Sequence, residues 1–387
     1  MWKIYFGELR RAFMQEIYPA GGWNKKLVWL LLLLPLTYTV LFGFTYQANV
    51  LNDIPAVVCD MQQSKTSRQL INYYDTSDRF IVTEHVQTLE ELQERLREGK
   101  VKAGIYIERD LDKRIKNGLQ ADVAIIIDAT NVVYGSAALV AAEEINMNVL
   151  VGAGQRISER LGFYPDQAIE TVYPAALRAR ILNNPTNSYT NFMLLGLMCN
   201  GVQISLYLYT ADAWANIKRR KWRFYSAALA GQLAAVALAA WLSFGLCLGL
   251  AHFGFAVPLR GAWQHFALLD GSFVLLFTAV GMLFSLLFGK AVMAIQETLL
   301  FIMPGLLYSG LSWPNEWVGG LPLFIRAFFP ITYIALPLRD LSLQGTSALL
   351  PENITLMLAA AGAVLCLDIT LLRRRLRKHS GDMSRDI

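Results

Sequence analysis

Among the short segments that flank the long apolar stretches of this chain, basic residues are concentrated in alternate segments. Lysines and arginines precede the first stretch, separate the second from the third and the fourth from the fifth, and follow the sixth. Cytoplasmic loops of membrane proteins carry the excess of Lys and Arg, so this pattern predicts an even number of spans with both termini inside. The stretches, each near the roughly 20 residues that cross about 30 Å of hydrocarbon, are 27–47, 189–209, 224–253, 266–288, 292–311 and 354–372.

The composition agrees with a membrane protein that carries one soluble insert. Hydrophobic residues make up 55% of the chain and charged residues 17%, a profile typical of polytopic proteins. The net charge of +5 comes mainly from the basic loops and gives no indication of nucleic-acid binding. The first stretch is too long for the apolar region of a cleaved signal peptide, and no small-x-small site follows it, so we expect a retained anchor.

The sequence contains no pattern that indicates catalysis, a metal or a cofactor. Its four cysteines and four histidines lack the spacing of metal ligands. Gly289-Lys290 is followed by Ala291, and Phe284 stands where a phosphate-binding loop has its first glycine. We therefore expect a protein without enzymatic activity that binds no ATP itself.

Residues 48–188 alternate strand-like and helical patterns and predict a small α/β domain. The βαβαβαβ order favours a largely parallel sheet, and Thr88-Leu89-Glu90-Glu91 is a capping-box pattern at a helix start. Asp128 follows the last strand and is interpreted as a turn former. Long loops are translocated regardless of charge, so this domain is expected outside. Strands are predicted at 54–59, 80–83, 103–107 and 123–127, and helices at 64–74, 88–98, 109–117 and 134–161.

The apolar stretches contain few charged residues, which disfavours a secondary transporter with an ion site at mid-membrane. Asp368 lies about one turn from Arg373 and is interpreted as its partner in an interfacial ion pair. Asn200 and Gln203 are uncharged and can form hydrogen bonds between helices.

Prolines divide the sequence around and after the fifth stretch. Pro304-Gly305 lies in its middle, where proline kinks a helix. Pro330 and Pro337 split the following apolar sequence into pieces too short to span. The segment 313–345 is therefore predicted to hold short re-entrant or interfacial helices on the outer side.

Two segments are expected at the cytoplasmic surface. Residues 1–26 predict an amphipathic helix in the inner interface, with an apolar face at Trp2, Tyr5, Phe6, Leu9 and Phe13. The loop 212–223 holds two tryptophans, and five of its last six residues are basic. It is either a topology signal or a docking helix in which Trp214 fills a groove on a partner, and the sequence leaves both readings open.

Motifs along nearly the whole chain resemble the type-2 permeases of ABC transporters, especially bacterial exporters with a large extracytoplasmic insert after the first span. Ile54–Asp60 and Leu96–Ile107 are similar to recurring segments of that insert, and Asn184-Pro185 to the pair before the second span. Family members often carry a Glu-rich, Gly-Thr-containing segment in the loop after the second span, which 212–223 lacks. The most specific similarity is in the closing region, at Pro304, Ser309-Gly310, Pro314, Pro330-Ile331-Thr332-Tyr333, Arg339-Asp340 and Gly345.

The resemblance implies the membrane subunit of an ATP-driven exporter in the bacterial cytoplasmic membrane, moving an amphipathic, drug-like or lipid-like molecule outward. It implies a homodimer of this permease with two copies of a separate ABC ATPase. It leaves a periplasmic adaptor and an outer-membrane channel open as further partners, besides the lipid bilayer. The alternative is a membrane-anchored sensor or surface-binding protein that acts through its external domain.

The expected fold is a helical polytopic protein with six transmembrane helices and an inserted α/β domain. Its parts are an interface helix at 1–26, a first transmembrane helix at 27–47, an extracytoplasmic domain at 48–188, a five-helix transmembrane domain at 189–373 and a basic tail at 374–387. Residues implied to couple to the ATPase are Arg10, Arg11, Trp214, Lys218, Arg219, Arg220, Lys221 and Trp222. Residues assigned to the pathway or gate are Asn200, Gln203, Gln296, Pro304, Gly305, Ser309, Gly310 and Pro330.

The charge pattern yields a topological prediction. Reporters fused after Lys221, Lys290 and Lys378 are expected to be active inside the cell, because these positions lie in or beside the basic segments. Reporters after His85, Gly261 and Gly345 are expected outside. Paired alkaline phosphatase and fluorescent-protein fusions measure the side, and a cytoplasmic signal at His85 would contradict the topology.

Overall fold

A computed structural model describes residues 2–19, 22–48, 51–117, 123–160, 182–211, 224–288, 290–311, 313 and 319–383. The chain divides into two compact units. The membrane unit comprises Met1–Asn49 and Ile181–Ile387, and the sheet unit comprises Val50–Arg180.

The elements follow one another in a simple order. The membrane unit begins with two helices, the sheet unit alternates strands and helices, and seven further helices complete the described part of the membrane unit. In chain order they are α1 (Trp2–Ile17), α2 (Lys25–Thr45), β1 (Ile54–Asp60), α3 (Lys65–Asp75), β2 (Phe80–Val86), α4 (Leu89–Arg97), β3 (Ala103–Ile107), α5 (Leu111–Lys116), β4 (Val123–Ile127), α6 (Val132–Arg160), α7 (Tyr189–Thr210), α8 (Tyr225–Phe255), α9 (Trp263–Phe288), α10 (Ala291–Tyr308), α11 (Leu321–Arg326), α12 (Ile331–Leu343) and α13 (Leu350–Met383).

The sheet unit is built around β1. The strand order is β2-β1-β3-β4, with β1 parallel to β2 and β3, and β4 antiparallel to β3. Helices cover both faces of β1, which explains its almost continuous apolar sequence. Ile54, Ala56 and Val58 pack with α3 and α6 on one face, while Val57 and Cys59 pack with α4 on the other. All four strands lie where the sequence predicts them, and the sheet is largely parallel.

The helix starts of the sheet unit are capped by side chains. Thr88 accepts a hydrogen bond from the Glu91 amide at 3.2 Å, as predicted, but the Glu91 carboxylate accepts from the Gln87 amide at 3.0 Å rather than from Thr88. Ser64 and Ser67 form a reciprocal capping box at the start of α3. Since Ser67 Oγ also donates to Asp60 at 2.6 Å, this cap ties α3 to the end of β1.

Asp128 ends β4 as a turn former, in agreement with the sequence. Its carboxylate accepts from the Lys102 ammonium at 2.7 Å and from the amide and hydroxyl of Thr130. These groups, Lys102 foremost, hold the pKa of the Asp128 carboxyl well below its usual range. The contact joins the residue before β3 to the residue after β4.

Five described helices of the membrane unit are long and apolar enough to cross a membrane: α2, α7, α8, α9 and α13. The fifth predicted stretch, 292–311, forms the shorter helix α10, which ends at Tyr308. Short helices α11 and α12 lie in the predicted segment 313–345. The last span does not end at 373, because α13 continues into the predicted tail as far as Met383.

Helix α7 lies at the centre of the membrane unit. Seventeen of its 22 residues are buried, and it packs against α2, α8, α9, α10 and α12. Small residues allow this crowding. A Cβ on Gly201 would lie 2.7 Å from the ring of Tyr38, and one on Gly281 of α9 would lie 2.0 Å from the Thr210 hydroxyl.

The proline at position 337 does not end its helix. Helix α12 runs through Pro337 to Leu343, contrary to the sequence prediction. Proline cannot donate to the carbonyl four residues earlier, which here belongs to Tyr333. The side-chain amide of Asn353 donates to that carbonyl at 2.9 Å and so replaces the missing hydrogen bond.

The predicted ion pair between Asp368 and Arg373 does not form. Asp368 is fully buried, and neither of its carboxylate oxygens has a hydrogen-bond partner within the described ranges. Five residues along an α-helix correspond to a rotation of about 140°, so the two side chains point to different sides of α13. Asp368 shares the buried face with Leu372, which packs against Ala279, Met282 and Leu286 of α9.

Two glycines of α8 provide a matched test of helix packing. A Cβ on Gly231 would lie 2.3 Å from the Leu9 carbonyl oxygen of α1, whereas Gly245 has open space around it. Both Gly→Ala changes raise the helix propensity equally, so the difference between them reports the contact. We expect Gly231→Ala to destabilise the docking of α1 by about 1 to 3 kcal/mol. Amide hydrogen exchange of residues 2–17 should rise in Gly231→Ala and stay unchanged in Gly245→Ala; equal exchange in both would contradict the packing.

Candidate functional site

The membrane unit has two ends with different chemistry. At one end, Lys26 at the start of α2 meets Tyr209 at the end of α7, and Arg375 of α13 donates to the Leu287 carbonyl at the end of α9. We call this the basic end, because Lys25, Lys26, Lys290 and Arg375 lie there. At the opposite end, Gly43 of α2 lies against the ring of Phe255 at the end of α8.

Phe329, directly before the predicted gate residue Pro330, packs against another predicted gate residue, Gly305, at the opposite end. It lies between α11 and α12 and is 7% exposed. A Cβ on Gly305 would lie 3.1 Å from its ring, and the rings of Phe301 and Tyr308 have centroids 5.1 and 6.3 Å away. We call Phe301, Gly305, Tyr308 and Phe329 the Phe329 cluster. The sequence analysis identified Pro304-Gly305 and Pro330 but missed Phe329. Its position directly before Pro330 was the one local feature that could have indicated it.

The turn after α10 joins this cluster to the central helix. Ser309 Oγ donates to the Leu306 carbonyl at 2.8 Å and accepts from the Leu311 amide at 3.2 Å. Gly310 has a φ of +79°, a left-handed conformation that glycine adopts without strain. The turn places Leu311 against Gly196 of α7, where a Cβ would lie 1.9 Å from the leucine side chain.

Arg339 links three helices at the same end. The sequence indicated only that Arg339-Asp340 resembles a motif of the family's closing region. Its guanidinium lies over the ring of Phe192 of α7, 4.6 Å from the centroid. Its Nη1 makes a long contact of 3.5 Å with the Leu311 carbonyl that follows α10. Arg339 itself belongs to α12, so this cation connects α7, the end of α10 and α12.

The remaining predicted pathway residues lie elsewhere. Asn200 and Gln203 are buried within the bundle, where Asn200 donates to the Tyr38 hydroxyl at 3.1 Å. Their side-chain carbonyl oxygens have no hydrogen-bond partner among the residues that the structure describes. Gln296 is exposed on α10, so it does not join Asn200 and Gln203. Asp270 of α9 is also buried, with 4% of its surface exposed.

Of the predicted coupling residues, two are described. Arg10 and Arg11 lie on the exposed side of α1. Trp214, Lys218, Arg219, Arg220, Lys221 and Trp222 lie outside the described residues.

Helix α1 buries a face that overlaps the predicted apolar one only in part, through Tyr5 and Leu9. Phe6 is 60% exposed, whereas Ala12 is 1% exposed and packs in a cluster with residues of α8 and α9. On the same side, Glu16 accepts a hydrogen bond from the Tyr209 hydroxyl at 2.5 Å and one from the Gln232 side-chain amide at 2.7 Å. The carboxylate of α1 therefore bridges the end of α7 and the first part of α8.

A second carboxylate of α1 binds the start of α8. Glu8 accepts from the Phe224 amide at 2.6 Å, and Phe224 is the N-cap residue of α8, with no side-chain cap of its own. A carboxylate at a helix N-terminus is favoured by the orphan amides and the helix dipole. We call Glu8, Glu16, Tyr209, Phe224 and Gln232 the α1 network. Sequence reasoning missed it, because residues 8 and 224 are far apart in the chain.

These observations define a multi-pass membrane protein: several spanning helices form one unit, and a mixed sheet follows the first of them. A family model described as "ABC-2 family transporter protein" matches residues 25–369. The chain belongs to this family and is a membrane permease of the type-2 ABC transporters, which confirms the resemblance found in the sequence. No curated protein and no solved structure matches the chain.

Two adjacent phenylalanines test the Phe329 cluster. Phe329 is 7% exposed and Phe328 is 60% exposed, so the same truncation removes packing at one position and little at the other. We expect Phe329→Ala to lower the free energy of unfolding by about 3 to 5 kcal/mol and Phe328→Ala to change it by less than about 1 kcal/mol. Denaturation of the purified protein in detergent measures both, and equal stability of the two variants would be inconsistent with the cluster.

Proposed function

We propose that this permease is the membrane half of an exporter that a separate ABC ATPase drives. The observation that carries the proposal is the family match over residues 25–369. The sequence has no phosphate-binding loop of its own at Gly289-Lys290. ATP hydrolysis is therefore assigned to a partner subunit.

The proposed orientation has six spans, with α10 as the fifth, and places the basic end in the cytoplasm. The positive-inside bias supports this orientation, since Lys25, Lys26, Lys290 and Arg375 all lie at that end. The sheet unit then lies outside the cytoplasmic membrane. The contact between Gly305 and Phe329 lies at the outer end of the bundle, where separating the two would open an exit.

The proposed substrate is an amphipathic, drug-like or lipid-like molecule. The side chains at the proposed exit support this class, because Phe301, Tyr308 and Phe329 are aromatic and the Arg339 guanidinium lies over Phe192 at the same end of the bundle. Aromatic rings suit an apolar body, and a guanidinium suits a polar or anionic head. The proposed direction of transport is outward, because the contact between Gly305 and Phe329 would close the pathway at its outer end.

The proposed working unit contains two permeases and two ATPase subunits. Helix α10 presents an exposed apolar face that supports pairing of two copies, since such a face requires cover by lipid or protein. Its members are Val292, Leu300, Met303 and Leu307, which are 66 to 70% exposed.

The proposal is tested with the permease purified together with its candidate ABC ATPase. In proteoliposomes, we expect an amphiphile from a screen to stimulate ATP hydrolysis severalfold and to move outward with it. Native mass spectrometry is expected to give two permeases and two ATPases. The control is the same complex with the phosphate-binding lysine of the ATPase changed to alanine. Failure of the ATPase to associate, or association without ATP-dependent transport of any amphiphile, would refute the exporter and favour a sensor role.

A further inference from the structure

We propose that the membrane unit binds an anionic phospholipid in the leaflet at the end opposite the basic end. The phosphate of this lipid binds Arg339, and one acyl chain lies along a row of aromatic rings at α2 and α7. The inference goes beyond the proposed function, because the lipid is bound whether or not it is transported.

The row consists of rings that contact one another in order. Tyr38, Phe42 and Tyr46 recur every four residues along α2 and at its end, so they lie on one face of the helix. Their ring centroids are 4.7 and 6.2 Å apart. Tyr189 and Phe192 of α7 continue the row, with 5.1 Å between Tyr46 and Tyr189 and 6.0 Å between Tyr189 and Phe192. We call these residues the aromatic row.

Contacts between α2 and α7 fix the position of the aromatic row. Tyr38 packs on Gly201, where a Cβ would lie 2.7 Å from its ring, and its hydroxyl accepts a hydrogen bond from Asn200. The carbonyl of Tyr46 accepts one from the Thr190 hydroxyl. All the rings of the row are nevertheless only half-buried, so one side of it is left for another molecule to cover.

Arg339 lies at one end of the aromatic row and uses little of its hydrogen-bonding capacity. Its guanidinium carbon lies 4.6 Å from the Phe192 centroid, and it makes only the long contact of 3.5 Å with the Leu311 carbonyl. Among the described residues it forms no ion pair. Asp340, the next residue, accepts from the Ser347 hydroxyl instead, at 2.9 Å. Because a guanidinium has five N–H donors, most of those of Arg339 remain for a ligand.

The chemistry of Arg339 favours an anionic head group. A guanidinium binds phosphate through two parallel hydrogen bonds, and a partly buried cation is costly without a counter-charge. The head group of phosphatidylglycerol supplies a net negative charge, whereas that of phosphatidylcholine also carries a cation. Charge complementarity therefore selects the anionic lipid.

The length of the aromatic row fits one leaflet of a bilayer. Tyr38 and Tyr46 are eight positions apart, which corresponds to a rise of about 12 Å in an α-helix. Each leaflet contributes about 15 Å to a hydrocarbon core of about 30 Å. A cation at one end and an apolar surface that reaches nearly to mid-membrane match a phospholipid, with its head at the interface and its chain in the core.

Photocrosslinking from the row identifies the molecule that covers it. The photoreactive residue p-benzoylphenylalanine replaces Phe42 in the full-length permease, which is reconstituted in membranes of equal parts phosphatidylglycerol and phosphatidylcholine with the same acyl chains. Mass spectrometry of the irradiated protein is expected to show about fivefold more crosslinked phosphatidylglycerol, the preference that one arginine gives an anionic lipid. The matched control places the same residue at Phe44, which is 64% exposed and contacts Phe255 instead. We expect equal amounts of both lipids there.

Charge variants test the role of Arg339. With the photoreactive residue at position 42, Arg339→Gln should abolish the preference for phosphatidylglycerol, and Arg339→Lys should retain part of it. Arg326→Gln removes a positive charge from the same end of the bundle, at the last residue of α11, and should leave the preference unchanged.

Equal crosslinking of both lipids from position 42, or an unchanged preference in Arg339→Gln, would overturn the proposal. A crosslink from position 42 to a second permease would also overturn it, because the row would then be an interface between two copies. If Arg339→Gln fails to fold, the comparison of positions 42 and 44 in the otherwise native chain still tests the site. Crosslinking uses neither ATP nor an ATPase, so its result is independent of whether the permease is an exporter.

Discussion

Close approach of helix backbones at small residues is the constraint on which the membrane unit depends. Lipid tails are as apolar as leucine, so helices in a bilayer associate through packing and hydrogen bonds rather than through burial of apolar surface from water. Helix α7 meets Tyr38 at Gly201 and Leu311 at Gly196, and α8 meets α1 at Gly231. At each of these crossings even one added methyl group would collide with the neighbour.

Polar side chains stand directly beside two of these glycines. Asn200 precedes Gly201 and donates to Tyr38, while Gln232 follows Gly231 and donates to Glu16. The glycine lets the helices approach, and the neighbouring amide uses that short distance for a hydrogen bond. The same pairing operates at the turn after α10, where Ser309 supplies the hydrogen bonds and Gly310 the left-handed backbone.

The parts of the fold that the sequence predicted are those that depend on local patterns. Apolar runs located the helices of the membrane unit, and alternating strand and helix patterns located the four strands. The mistakes arose where distant residues decide the outcome. Pro337 stays inside a helix because Asn353 satisfies a carbonyl, and Asp368 is turned away from Arg373 by the rotation of the helix between them.

In the candidate sites, too, local sequence patterns were predictive and contacts between distant residues were missed. The prolines and glycines around the fifth apolar stretch led to the region around Phe329. Phe329 itself, whose ring makes the contacts in this region, belongs to no sequence motif. The amphipathic pattern of α1 predicted a helix in the membrane interface, but such a pattern cannot indicate that Glu8 and Glu16 accept hydrogen bonds from Phe224, Tyr209 and Gln232, which are distant in the sequence. The roles of Trp214 and the basic residues of that loop stay predictions.

Asp368 has a consequence for the synthesis of the protein. An aspartate in a spanning helix raises the apparent free energy of insertion, by at most about 2.5 to 3.5 kcal/mol when it lies at the centre, and each leucine offsets about 0.3 to 0.6 kcal/mol. Leucines of α13 thus balance the cost of its one buried carboxyl group. The apolar face of α9 that covers this part of α13 precedes it in the chain. The surface that shelters Asp368 has therefore already been made when the last span leaves the ribosome.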